Sequence, residues 1–366
     1  MGQPGRDTPD DGDVDAHGPT DRRDLLGRPE GVHSGHRAHG VEGLIRVGFV
    51  GTGNITKRHF GALAKLREQA EVVAVCDVVE ERARAAAAPV GAKVYLSSYE
   101  MLSRERLDAL YVCLPPDAHV DQELAAAERG IHLFVEKPLP LDLKKAEAIE
   151  RAIRASGVVS AVGYHWRHFS HSKLLKDRLP NERVGLALGY FLNLLPGSPW
   201  WRIGARSGGQ VVEQAIHIFD TSRYLLGEVE QVWSQYGHRA NQDEPGFDQD
   251  DVYTVNLRFR SGVVANYQVC CILHRRYQVG LEVLCKDRVY RLDERQLTID
   301  DRDGVQSIAI ENDPGYDENV GFLKAIAHGD RGGVLSDYAD ALNTQRVVMA
   351  ANQSAETCQP VRVCDD

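Results

Sequence analysis

Apolar positions along this chain follow two different periods. The short runs "LIRVGFV" (44–50), "EVVAVCD" (71–77), "LDALYVC" (107–113) and "IHLFVE" (131–136) are nearly unbroken, as in strands buried on both faces. Between them, "ITKRHFGALAKLREQ" (55–69), "VEERARAAAA" (79–88) and "VDQELAAAERG" (120–130) carry helical spacing, the last closed by Gly130. Strands alternating with helices predict a doubly wound parallel sheet. Further along, "VGLALGYFLNL" (184–194), "DVYTVNLRFRSGVVANYQVCCIL" (251–273) and "YQVGLEVLCKDRVYRLDERQLTID" (277–300) are β-rich, with Ser261-Gly262 as a hairpin turn. The expected fold class is therefore α/β, an N-terminal Rossmann sheet followed by a second α/β domain.

The first 43 residues break this pattern. They are rich in Gly, Pro, Asp, Arg and His and poor in apolar side chains, so they are expected to stay disordered. "MGQPGR" lacks the hydroxyl residue that myristoylation requires, and "TDRRDLL" is not followed by the apolar stretch of an export signal. His33, His36 and His39 lack partner ligands for a metal, and no metal site is expected. The remainder is expected to divide into two domains, 44–164 and 165–366, with a C-terminal helix near 336–357 returning to the first domain.

Composition narrows the function class. The 366 residues are 43% hydrophobic and 26% charged, with a net charge of −10 and no basic block, which argues against nucleic-acid binding. No run approaches the roughly 18 apolar residues of a membrane span. The seven cysteines form no C-x-x-C pair, as expected of reduced thiols in a cytoplasmic protein.

Chemistry concentrates at three places. Gly51-x-Gly53 follows the first strand and opens a helix, the setting in which glycines bring backbone amides to a pyrophosphate; Thr56 stands where a third glycine is usual. Asp77 ends the second strand, 24 residues after Gly53, where an acid holds the adenosine ribose. Glu136-Lys137-Pro138 falls at the carboxyl end of the fourth run. In "SGGQVVEQAIHIFD" (207–220), Glu213, His217 and Asp220 recur at four- and three-residue spacing, predicting one helix face on which a carboxylate orients an imidazole.

The turn, the Glu136-Lys137-Pro138 tripeptide, the 208–220 helix and the closing "SDYADALNTQRVVMAANQSAETCQPVRV" (336–363) together resemble the glucose-fructose oxidoreductase / inositol 2-dehydrogenase (Gfo/Idh/MocA) family. The resemblance implies an NAD cofactor, with NADP as the alternative, and a C-terminal domain with a large open antiparallel sheet that pairs subunits into a homodimer or homotetramer. It implies Lys137 and His217 as catalytic, with Glu213 where the family usually has Asp. Gly51, Gly53, Asn54, Ile55, Asp77, Leu114, Pro115, His119 and Glu136 are implied to hold the cofactor. Tyr164, Arg167, Trp201, Arg202 and Asp220 are implied to meet the substrate, with His165 and Tyr316 as further candidates. The implied substrate is a sugar, sugar derivative or cyclitol, oxidised or reduced at a ring carbon. A dihydrodiol or other non-sugar substrate, or a non-enzymatic dinucleotide-binding regulator, are the alternatives.

Overall fold

The structure, a computed structural model, describes residues 43–363. The expectations for the N-terminal segment and its histidines, and for Cys364, lie outside the described residues.

The first sheet is built from β1 (Ile45–Val50), β2 (Ala70–Cys76), β3 (Lys93–Tyr95), β4 (Ala109–Val112), β5 (His132–Val135) and β6 (Ser160–Val162). Its order is β3-β2-β1-β4-β5-β6, every pair parallel. This is the dinucleotide-binding order, with its crevice where β1 and β4 diverge. Connections are made by α1 (Asn54–Lys65), α2 (Glu80–Ala87), α3 (Ser98–Arg104), α4 (Gln122–Glu128) and α5 (Leu143–Ser156). Asp142 accepts from Lys144 N at the start of α5, and Gly157 (φ 69°) closes it in the left-handed conformation.

A short helix α6 (Ser170–Arg178) leads into β7 (Val184–Leu194), followed by α7 (Gly204–Ser207), α8 (Gln210–Glu213) and α9 (Ile216–Leu226). Then come β8 (Val229–Gly237), β9 (Val252–Phe259), β10 (Val264–Leu273), β11 (Gln278–Cys285), β12 (Arg288–Leu292), β13 (Gln296–Asp301) and β14 (Gly304–Ala309). The chain ends with α10 (Pro314–His328), α11 (Tyr338–Thr357) and the short β15 (Val361–Arg362). The nine strands run β14-β13-β12-β11-β7-β10-β9-β8-β15. The expected antiparallel sheet is corrected in one respect: β7 pairs parallel with β10, so the sheet is mixed. The hairpin at Ser261-Gly262 joins β9 to β10, with Gly262 at φ 87°.

The chain's return matters for the site. Phe322, Leu323 and Ile326 of α10 pack with Phe49 and Tyr111 of the first sheet. α11 packs on β6, α5 and β8 and α10 on α1, so the last two helices run along both halves. The described cysteines are free, and Cys76, Cys113, Cys270 and Cys271 are buried. No helix among the described residues is long and apolar enough to cross a membrane.

Candidate active site

The glycine turn is held in place by side chains around it. Gly51 has φ +87°, and a Cβ there would stand 2.2 Å from the Cys113 carbonyl, so only glycine fits. A Cβ on Gly53 would meet nothing within 4 Å, which leaves the backbone there open. No side chain caps α1 at Gly53, so its first amides remain available to an anion. The Thr56 hydroxyl donates to Gly51 O at 2.9 Å and thereby braces the turn that a third glycine would otherwise pack. Asp77 accepts from Thr52 N (2.9 Å), Thr52 Oγ1 (2.8 Å) and Val79 N (2.9 Å), tying the end of β2 to the turn. Asn54 is exposed; Ile55, Leu114 and Pro115 are half-buried at the carboxyl ends of β1 and β4. Open amides, an unobstructed glycine and an acid beyond β2 fit a dinucleotide.

The candidate catalytic half is assembled from two distant segments. The Lys137 Nζ, just past β5, donates to Glu213 O (2.7 Å) and Glu213 Oε1 (3.0 Å). Both side chains keep some solvent access, 16% and 15%. Glu213 Oε2 accepts from the Trp201 indole N–H at 2.8 Å. His217, the second residue of α9, packs beside His165 (ring centroids 4.7 Å) and stacks parallel to Trp166 (5.9 Å, 8°). Its Nδ1 is buried without a partner, which leaves Nε2 as the nitrogen facing the cleft. Burial, then the neighbouring His165, Lys137 and Arg58, push the His217 pKa well below the usual imidazole value. The ring is a neutral base at physiological pH.

Several expectations are corrected by this geometry. The 207–220 stretch is not one helix: α8 ends at Glu213, and Ala215 N bonds Gln210 O at 2.8 Å in a widened turn before α9 begins. That break swings Glu213 onto Lys137 and Trp201, so it does not orient His217. Asp220 and Arg167 do not face substrate; they are buried on each other at 2.6 and 2.7 Å. Trp201, expected to line a sugar pocket, is buried with its indole N–H on Glu213. Arg202 turns away to Glu244 (3.3 Å) and Pro245 O (3.1 Å). Tyr164 is buried with its ring at right angles to that of His217, and burial pushes its phenol up. The His119 ring is sealed against Glu123, and the Glu136 carboxylate is buried on His59 Nε2 (2.9 Å), so neither side chain is open to a cofactor. Tyr316 lies under Lys65, 5.4 Å from its ring centre.

One charged neighbour of the two imidazoles was not anticipated. Arg58 of α1 lies near enough to His165 and His217 for its charge to depress both imidazoles. The available signal was its spacing, three residues after Ile55 on the same helix face.

A parallel sheet in this order, an open glycine turn and a Lys–His pair beyond the carboxyl ends of its strands define a nicotinamide-dependent oxidoreductase with a second α/β domain. The chain belongs to the Gfo/Idh/MocA oxidoreductase family. The family's NAD-binding Rossmann fold matches residues 45–164, and its C-terminal alpha/beta domain matches 190–363. Among relatives, a myo-inositol 2-dehydrogenase of Thermotoga maritima is 28% identical over 70% of this chain and 77% of its own. The scyllo-inositol 2-dehydrogenase (NAD(+)) of Bacillus subtilis is 29% identical over 67% of this chain and 72% of its own. An apo levoglucosan dehydrogenase structure, 20% identical, superposes with a TM-score of 0.80 over 89% of this chain and all of that one, a likeness of fold.

Proposed function

We propose that the chain interconverts a secondary alcohol and a ketone at a ring carbon of a sugar, sugar derivative or cyclitol, using NAD(H). The observation that carries this reading is Lys137, anchored by Glu213, beside a neutral His217 at the open end of the first sheet. When bound, the nicotinamide supplies or accepts the hydride. In oxidation His217 Nε2 takes the hydroxyl proton. Lys137 has three N–H donors, two of them engaged by Glu213, and the third stabilises negative charge building on the reacting oxygen. Glu213 fixes the ammonium and Trp201 fixes Glu213. The same groups serve the reverse reaction.

The similarity to inositol dehydrogenases supports a polyol substrate. Retention of both Lys137 and His217 favours an enzyme over a regulator. Asp77 favours NAD over NADP because its charge repels a 2′-phosphate, and Arg84 is engaged by Glu80 (2.9 Å) instead of offering compensation. We assign cofactor binding to residues 44–164 and substrate binding and assembly to 165–366. The outward face of β7 carries half-exposed Leu186, Leu188, Tyr190 and Leu192, which supports pairing of this sheet with a second copy in a homodimer or homotetramer. Free buried thiols support a cytoplasmic setting.

The test is NADH formation across a panel of sugars and cyclitols, with keto forms in reverse. Turnover of at least one polyol is expected. Turnover confined to non-sugar alcohols would overturn the substrate class, and tight NADH binding without any turnover would favour the regulator.

A further inference from the structure

The proposed reaction depends on where Lys137 stands, and its main chain is held from behind by a run of buried hydrogen bonds. Glu136 Oε2 accepts from Lys137 N at 3.2 Å, while Oε1 lies 2.9 Å from His59 Nε2 of α1. On its other side the His59 ring meets Asn319 of α10, whose Nδ2 lies 3.1 Å from Nδ1. Asn319 also donates to Gly315 O (2.7 Å) and accepts from the Tyr111 hydroxyl (2.8 Å). His59, Asn319 and Tyr111 are fully buried, and Glu136 nearly so.

The direction of this run follows from its far end. A main-chain carbonyl can only accept, so Gly315 O fixes which end of the Asn319 amide is the nitrogen. The second amide hydrogen then faces His59 Nδ1, which accepts it. Asn319 Oδ1 stands farther from Nδ1, at 3.3 Å, and is already taken by the Tyr111 hydroxyl. The imidazole proton therefore sits on Nε2, aimed at the Glu136 carboxylate, and every donor in the run has an acceptor. The His59 ring is wedged edge-on against Phe134 and Tyr111, with ring centroids at 4.8 and 5.2 Å, which hinders its turning over. A Cβ on Gly163 would stand 2.6 Å from Glu136 Oε1, so glycine leaves the carboxylate its place.

We propose that His59 is a positioning residue for Lys137: it fixes the Glu136 carboxylate, and that carboxylate holds the main-chain amide of the lysine. Two carboxylates then grip Lys137, Glu136 at the backbone and Glu213 at the ammonium. Asn319 sets the tautomer of His59, so α10, returning from the far end of the chain, takes part in placing the reacting group. This inference rests on the oxidoreductase reading of Lys137 and deepens it.

The experiment reads Lys137 twice, by amide hydrogen exchange and by turnover, in His59→Phe and His59→Gln. His59→Phe should speed exchange of the Lys137 amide by roughly tenfold, the worth of one hydrogen bond, and His59→Gln, which keeps a donor, should restore most of the protection. On a polyol that wild type turns over, His59→Phe should lower kcat by roughly 10- to 100-fold through misplacement of the lysine, with the KM for NAD within about threefold. Added to Lys137→Ala, the same change should cost no more than about twofold further. Unchanged exchange at Lys137, no recovery in His59→Gln, or an equal loss of kcat in both backgrounds would each overturn the proposal. If His59→Phe does not fold, Asn319→Leu carries the test: faster Lys137 exchange supports the proposal and unchanged exchange overturns it. One equivalent of divalent metal per purified chain would also overturn it, because His59, Glu136 and Glu318 hold their donor atoms within 4.8 Å of one another and a metal would displace the Nε2 proton. If no sugar or cyclitol is turned over, the sugar reading fails on its own account, and the Lys137 exchange rates still decide the positioning.

Discussion

Two cation–carboxylate pairs join distant segments of this molecule, and their difference separates function from architecture. Arg167–Asp220 is nearly sealed, 4% and 1% exposed, and every group in it has further partners. Thr344 Oγ1 donates to Asp220 (2.9 Å), and Arg167 reaches Leu335 O (2.7 Å) and Asp340 (2.7 Å). It locks the 165–168 turn to α9 and α11 and has no capacity left for a ligand. Lys137–Glu213 joins equally remote segments but keeps solvent access and one undirected N–H. Both pairs stand on residues with similar signals in the sequence. Spare hydrogen-bonding capacity beside water is what the pair proposed to be catalytic has and the sealed pair lacks.

The sharpest way to break this contrast is to remove one cation from each pair. Lys137→Ala should lower kcat by roughly 10²–10⁴-fold, the range for losing a positioned stabiliser or acid/base, with the urea midpoint nearly unchanged. Arg167→Met should do the reverse. It strands a buried carboxylate, so stability should fall by about 3–5 kcal/mol while kcat per folded molecule holds. A catalytic defect in folded Arg167→Met, or a stability loss of that size in Lys137→Ala, would erase the distinction. A smaller effect is expected for Trp201→Phe, which keeps the buried ring volume and deletes the N–H on Glu213. One lost charge-assisted hydrogen bond should lower kcat by roughly tenfold with the KM for NAD unmoved.

The smallest effect concerns the sealed region alone. Burial, then the charges of Lys173, Arg167 and Arg58, push the His168 pKa down to about 3. An unfolded histidine titrates near 6.5, so below that pH the unfolded chain binds a proton that the native one refuses. The stabilising contribution is present above about 6.5 and is lost as pH falls toward 3, by about 1.4 kcal/mol per unit. Urea midpoints of His168→Gln between pH 6 and 4.5 should therefore fall less steeply than those of wild type; equal slopes would contradict the assignment.

What the sequence disclosed was local. The strand, glycine turn, helix and terminal acid of residues 45–77 lie close together, and their periods and turn residues are read directly. Lys137 and His217 were singled out through motif and resemblance, and the structure draws on the same two residues for the proposed reaction. The partner of Glu213 was not, because the break at Gln214–Ala215 turns a four-residue spacing that promises contact with His217 into contact with Lys137, 76 positions away. Arg167 and Asp220 misled for a related reason: a buried lock and a substrate contact use the same side chains, and only burial distinguishes them. Arg58 stayed hidden because its exposure is set by α10, which returns from more than 250 residues further on. The parallel pairing of β7 with β10 likewise depends on a crossover that strand periodicity does not report.

The central claim is that Glu213 acts through Lys137, and one double-mutant cycle tests it directly. Single-turnover hydride transfer would be measured for Glu213→Gln in wild type, in Lys137→Met and in His217→Gln. Glu213→Gln should slow wild type and His217→Gln by a similar factor, and should have no further effect once Lys137 is gone. A full effect retained in Lys137→Met, and lost in His217→Gln, would place the carboxylate on the imidazole and contradict the account.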